Sequence, residues 1–81
     1  MKTGFGDMAH QRDIEFTNGP MATVMTVKAT GNMYKLTKVV AGYYKLTDMT
    51  THEVFTLTAP NGWSASGQAV KQLTKWEKVK A

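Results

Sequence analysis

Residues 34–47 read Tyr34-Lys35-Leu36-Thr37-Lys38-Val39-Val40-Ala41-Gly42-Tyr43-Tyr44-Lys45-Leu46-Thr47, writing Tyr-Lys-Leu-Thr twice with one glycine between the copies. Alternating polar and apolar residues have the period of a half-buried strand, so each copy predicts a strand and the pair predicts a β-hairpin. Register follows from the side chains, because a slip of one residue turns every side chain to the other face. A two-residue loop at Ala41-Gly42 sets Leu36 and Leu46 on opposite faces. A three-residue loop, Val40-Ala41-Gly42, sets them opposite each other and puts glycine at the left-handed position such loops favour. The second arrangement is the one expected.

The neighbouring segments extend the hairpin into a meander. Asp13 to Thr17 alternates and predicts a first strand, closed by the turn residues Asn18-Gly19-Pro20. Met21 to Lys28, rich in threonine, valine and methionine, predicts a second. Gly31-Asn32 is read as a two-residue hairpin loop. Tyr34–Val39 and Tyr43–Asp48 follow as strands three and four. A four-residue turn, Met49 to His52, leads to a fifth at Glu53–Thr58, and Ala59-Pro60-Asn61-Gly62 ends the sheet. These loops predict one apolar row, Val27–Leu36–Leu46–Phe55, flanked by Met25, Tyr44 and Leu57, with Ile14 and Phe16 available from the first strand. Each such side chain contributes about 1.5–3 kcal/mol on burial, so the row is the expected core. Lys38 falls on the same face and is expected to snorkel or to lie at an edge.

The opposite face is then determined. It carries Lys28, Lys35 and Lys45 among Thr26, Thr37, Thr47 and Thr56, with Val24, Val39 and Tyr43 beside them, and it sets Lys28 directly across from Lys35. Beyond the sheet, Val70, Leu73, Trp76 and Val79 recur every third residue, which predicts a short helical turn or a turn followed by a closing strand near Gln72. Ser64 and Ser66 are candidate N-caps. Trp63 and Trp76 are expected to cap the open end of the sheet, with Lys71, Lys75, Lys78 and Lys80 exposed. Strands twist, so the expectation is an all-β fold: a five-stranded antiparallel meander curled into a small partly open barrel, SH3-like or OB-like. Domain boundaries are expected as a flexible arm over 1–11, the barrel over 12–76 and a basic tail over 77–81.

Ile14 to Thr17, then Asn18-Gly19-Pro20-Met21, then Ala22 to Val27 resembles the strand, turn and strand of small SH3-like, KOW-like barrel proteins of bacteria and phages. The chain departs from that pattern in having Asn18 for the first glycine of the turn and in its long lysine-rich tail. The resemblance implies a binding module for RNA, DNA or a protein segment, without choosing among them.

Composition narrows the function classes. The chain has 81 residues, no cysteine and a net charge of +4. That is one small domain with a thin core and neither disulfides nor a zinc ligand set to brace it. No signal peptide or membrane span is evident, so a cytoplasmic location is expected. The charge is clustered. Residues 28–45 carry four lysines and no acid, and residues 71–80 carry four lysines against Glu77 alone. Clusters of this kind point to anionic partners, although lysine and threonine also decorate any solvated sheet.

Catalytic patterns are lacking. Gly4-Phe5-Gly6-Asp7-Met8-Ala9 matches a dinucleotide-binding spacing but has no room for the strand that must precede it. Asp48, His52 and Glu53 share a turn, with no recognised ligand spacing, so no metal, cofactor or small-molecule substrate is expected. The chain is read as a non-enzymatic module. The expected partner is nucleic acid, single-stranded and read with little sequence preference, contacted by Lys28, Lys35, Lys45, Tyr43, Thr37 and Val39. Arg12 is the sole arginine, which argues against readout of base edges. The alternative is a protein–protein module using the same surface or an edge strand, such as a phage or mobile-element accessory protein that inhibits or adapts a host protein.

Overall fold

A computed structural model describes residues 13–80; the arm expected over 1–11 lies outside them. Five strands form one antiparallel sheet in chain order: β1 (Ile14–Asn18), β2 (Ala22–Val27), β3 (Met33–Val40), β4 (Tyr43–Asp48) and β5 (Val54–Thr58). One helix, α1 (Gly62–Lys80), follows and packs on one face. Among the described residues β1 and β5 are unpaired edges, so the meander is an open sheet backed by a helix, and the expected barrel closure is not seen.

The doubled Tyr-Lys-Leu-Thr is the central hairpin. Leu36 lies opposite Leu46, as the three-residue loop requires. The ladder gains one residue between Lys38 and Val40, a bulge that restores Val40 to Tyr43, and Gly42 takes the left-handed conformation at φ +83°. An added Cβ at such a φ is strained, which explains the glycine. Leu46 lies opposite Phe55 across a four-residue turn closed by the bond from Asp48 N to Glu53 O.

The β2–β3 register differs from the expectation. Leu36 lies opposite Thr23, not Val27, and Met25 lies opposite Tyr34. Gly31-Asn32 is therefore not a two-residue loop. The amide of Gly31 closes a wider turn onto Val27 O at 2.7 Å, and Val27 N donates to Asn32 O at 2.9 Å. The slip amounts to four residues, an even number, so each side chain keeps its predicted face while its partner changes. Lys28 consequently lies in this turn and not across from Lys35.

The core lies between sheet and helix: Ile14, Met25, Val27, Tyr34, Leu36, Tyr44, Leu46 and Leu57 from the strands, with Ala65, Ala69, Val70 and Leu73 from α1. Phe55 is on this face but at the edge, and stays 37% exposed. Lys38 is exposed at the rim of a shallow cleft with Met21, Tyr44 and Ser66.

The helix is far longer than the expected turn, and residues 77–80 form its last turn. Asn61, not Ser64 or Ser66, caps it, accepting from Ser64 N at 2.9 Å. Its buried line runs Ala65, Ala69, Leu73, Glu77, a four-residue step along one face. Small alanines let the helix approach the sheet closely, and Trp76 stacks on Tyr34 with ring centroids 5.8 Å apart. Trp63 does not cap the sheet: it is 90% exposed.

Glu77 ends the buried line in a polar cluster. Its carboxyl accepts from Tyr34 OH, from Asn32 Nδ2 at 2.8 Å and from Thr30 Oγ1 at 3.2 Å. Lys80 Nζ donates to Tyr34 OH at 3.0 Å and pairs with the buried Asp48. Lys80, exposed as expected, is nonetheless held by these two partners. These bonds fasten the last turn of α1 to β3, β4 and the β2–β3 turn.

Candidate functional site

The face of the sheet turned away from α1 has no covering element among the described residues. Its strand positions are Glu15 and Thr17; Ala22, Val24 and Thr26; Met33, Lys35 and Thr37; Tyr43, Lys45 and Thr47; Val54, Thr56 and Thr58. Threonine dominates because a β-branched side chain with a hydroxyl suits a pleated surface that meets water. Lys35 and Lys45 sit at the centre. Lys35 is flanked by Val24 and Thr47, and Lys45 by Thr37 and Thr56. The two lysines are diagonal neighbours across β3 and β4, about 7–8 Å apart by sheet geometry.

No acid is paired with either lysine among the described residues, and Glu15, on the outer strand β1, is the only acid at these strand positions. Two like charges placed side by side without a counter-charge raise the local positive potential. Between them the Thr37 hydroxyl is buried without a hydrogen-bond partner among the described residues. A buried hydroxyl without a partner costs stability.

Tyr43 is 53% exposed on the same face, two residues from Lys45 and opposite Thr58. Val39 is the extra residue of the β3 bulge and is exposed beside Val40. Of the six expected contact residues, Lys35, Lys45, Thr37, Tyr43 and Val39 therefore fall on β3 and β4. Lys28 does not join them. It follows the end of β2 with its amide bonded to Asp13 O, four residues and about 13 Å along the strand from the position opposite Lys35.

Two further features lie outside this face, the first expected from the exposed lysines of residues 71–80 and the second not legible in the sequence. Lys71, Lys75 and Lys78 form an exposed ridge along α1, spaced to share one helical face. Separately, a groove of 520 Å³ opens between the β1–β2 end of the sheet and the first half of α1, lined by Phe16, Thr23, Trp63, Gly67 and Val70 among others. Among the described residues no grouping of three or more histidine, cysteine, aspartate or glutamate side chains is placed to hold a metal ion. No helix among them is long and apolar enough to cross a membrane.

The electrostatics of the Glu77 cluster concern folding. Burial pushes the Tyr34 phenol up to about 12, helped by its bond to Glu77. Burial alone raises the Asp48 carboxyl, but the Lys80 ammonium and the amides of Thr50 and Thr51 outweigh it and hold the group below its usual value. Burial likewise opposes the charge on Lys80, and Asp48 and Tyr34 reverse that and raise it. Every group in the cluster is engaged inside the molecule, so it acts as a clamp and leaves no free acid or base.

No family model matches the chain, no curated protein matches it, and no solved structure matches its fold.

Proposed function

We propose that the chain is a non-enzymatic binding module whose uncovered sheet face takes an anionic partner, single-stranded nucleic acid with low sequence specificity. The observation that carries this reading is the Lys35–Lys45 pair at the centre of that face, with no acid paired to either lysine among the described residues. Lysine ammonium groups meet phosphates as point charges, threonine hydroxyls donate to phosphate or sugar oxygens, and Tyr43 offers a surface on which a base stacks. Lys28 adds charge at the margin of the face and makes no close contact with the central pair.

Anisotropy of a labelled oligonucleotide across a salt series tests the reading. Each phosphate neutralised on a single strand contributes about −0.7 to the slope of log K against log salt, so two or three lysines give roughly −1.4 to −2. Absence of binding at low salt, or binding indifferent to salt, overturns it.

A protein partner is the second reading, favoured by the groove beside Trp63. An indole exposed to this degree is uncommon on a surface that meets only water, and aromatic anchors of this type dominate protein interfaces. The two readings use different surfaces. Trp63→Ala leaves oligonucleotide affinity unchanged under the first reading and removes partner binding under the second.

A further inference from the structure

Edge strands usually carry a device that blocks pairing with another sheet: a charge, a proline, a bulge or a cover. β1 has Glu15 within the strand, and each edge strand has one acid just before it, Asp13 before β1 and Glu53 before β5. β5 reads Val54-Phe55-Thr56-Leu57-Thr58, with no charge, proline, glycine or bulge. Four of its five residues, Val54, Phe55, Thr56 and Thr58, are of the types that most favour strands. Val54 and Phe55 are exposed.

The backbone directions on β5 are determined by its neighbours. Ala59 N donates to Gly42 O and Glu53 O accepts from Asp48 N, so Glu53 and Ala59 point toward β4. Alternation sends Phe55 and Leu57 the same way and turns the amides and carbonyls of Val54, Thr56 and Thr58 outward. Gln68 Nε2 reaches Thr58 O at 2.9 Å, the one side chain among the described residues that meets this edge.

We propose that two copies of the chain pair antiparallel through β5, centred on Thr56, to make one continuous ten-stranded sheet. In that register Thr56 exchanges both backbone bonds with the second copy's Thr56, and Val54 exchanges both with the second copy's Thr58. On the helix side Phe55 meets Leu57 of the second copy, which covers a phenyl ring left 37% exposed. On the other side Val54 meets Thr58. Glu53 falls opposite Ala59, so no like charges confront each other anywhere along the seam. The strand is complementary to itself in pattern, backbone direction and charge, which makes a second copy its natural occupant. A five-residue seam falls short of the about 1,200 Å² of stable interfaces, so the dimer is concentration-dependent.

Pairing also extends the uncovered face. The row Lys35, Thr47, Val54 continues into Thr58 and Tyr43 of the second copy, and the two Lys45 side chains stand three strand spacings apart, about 14 Å. This consequence rests on the nucleic-acid reading, whereas the pairing itself does not.

Cysteine crosslinking tests the pairing, because the chain has no cysteine of its own. Opposed Cα atoms in a bonded antiparallel pair lie about 5.5 Å apart, within disulfide range. Thr56→Cys is expected to give a disulfide-linked dimer on mild oxidation, and Thr17→Cys on β1 is not. Sedimentation of the unmodified chain is expected to shift from 9.0 kDa toward twice that mass as concentration rises. Thr56→Lys, which sets two ammonium groups face to face while leaving the β4–β5 bonds intact, is expected to hold it at the lower mass. A single 9.0 kDa species at every concentration, or equal crosslinking at the two positions, overturns the pairing. Because oligonucleotide binding is measured separately, a dimer that binds no oligonucleotide supports the pairing and overturns only the nucleic-acid reading.

Discussion

Lys80 Nζ lies 2.8 Å from Asp48 Oδ2, joining the last residue of α1 to the last residue of β4. Asp48 is wholly buried, and its Oδ2 meets this ammonium alone among the described residues, while Oδ1 accepts from the amides of Thr50 and Thr51. A buried carboxylate is tolerated only when it is paired and hydrogen-bonded. Lys80 is thus part of the folding unit, although by composition it belongs to a basic tail.

The clamp predicts an alkaline limit to stability. A tyrosine whose folded-state pKa is raised from 10.0 to about 12 binds its proton more tightly in the folded chain. Its contribution is complete below pH 10.0 and disappears as pH rises toward 12. Lys80, also raised, contributes in the same direction and is lost above its own folded value. Urea unfolding between neutral pH and 12 should therefore show falling stability across that window, with Tyr34→Phe flattening the tyrosine part.

Asp48 sets the acid side. Its pKa is lowered by folding, so its contribution is present above the ordinary 3.8 and disappears as pH falls through the lower folded value. Lys80→Met removes the pairing ammonium. The advantage of the unaltered chain over that variant is expected to be greatest near neutrality and to shrink as pH drops, as read by denaturant midpoints at matched ionic strength.

Removing Glu77 leaves the Tyr34 hydroxyl, the Asn32 amide and the Thr30 hydroxyl without their acceptor. Glu77→Ala is expected to destabilise by about 3 kcal/mol, since each buried donor without a partner costs about 1–3 kcal/mol and the half-exposed ones recover water. Glu77→Gln, which keeps an acceptor oxygen, is expected to cost less. Equal losses in the two variants would show that packing, not hydrogen bonding, holds the helix end.

Two substitutions test the frame itself. Leu46, fully buried at the centre of the hairpin, is expected to cost about 2–5 kcal/mol on change to alanine. Gly67→Ala should act oppositely. An added Cβ there meets nothing within 4 Å, so the variant is expected to gain up to about 1 kcal/mol in helix propensity. Thermal and urea unfolding read both effects.

Much of this architecture was legible in the residues. Alternation, strand-favouring composition and turn residues together marked all five strands, and the leucines of the repeated Tyr-Lys-Leu-Thr placed Leu36 against Leu46 and hence Lys35 and Lys45 outside. The β2–β3 register was not legible, because the turn at residues 28–32 is held partly from afar: Thr30 and Asn32 bind Glu77, 47 and 45 residues away. No local turn rule encodes that partner. The helix was underestimated for a different reason. Its buried line uses alanine and a glutamate, which a search for large apolar residues passes over, while Trp63 and Val79, the residues that such a search favours, lie outside it. The four-residue step from Ala65 to Glu77 was the available signal. Barrel closure was inferred from the need to hide edges, and the helix covers a face of the sheet without closing it.

The central claim is that anions meet the uncovered sheet face. Titration of a short unlabelled single-stranded oligonucleotide into the isotope-labelled chain, followed by amide and side-chain NMR shifts, tests it most directly. Salt-sensitive shifts concentrated at Lys35, Thr37, Tyr43 and Lys45 are expected. Shifts confined to Lys71, Lys75 and Lys78 on the helix ridge, or no shifts at low salt, would contradict it.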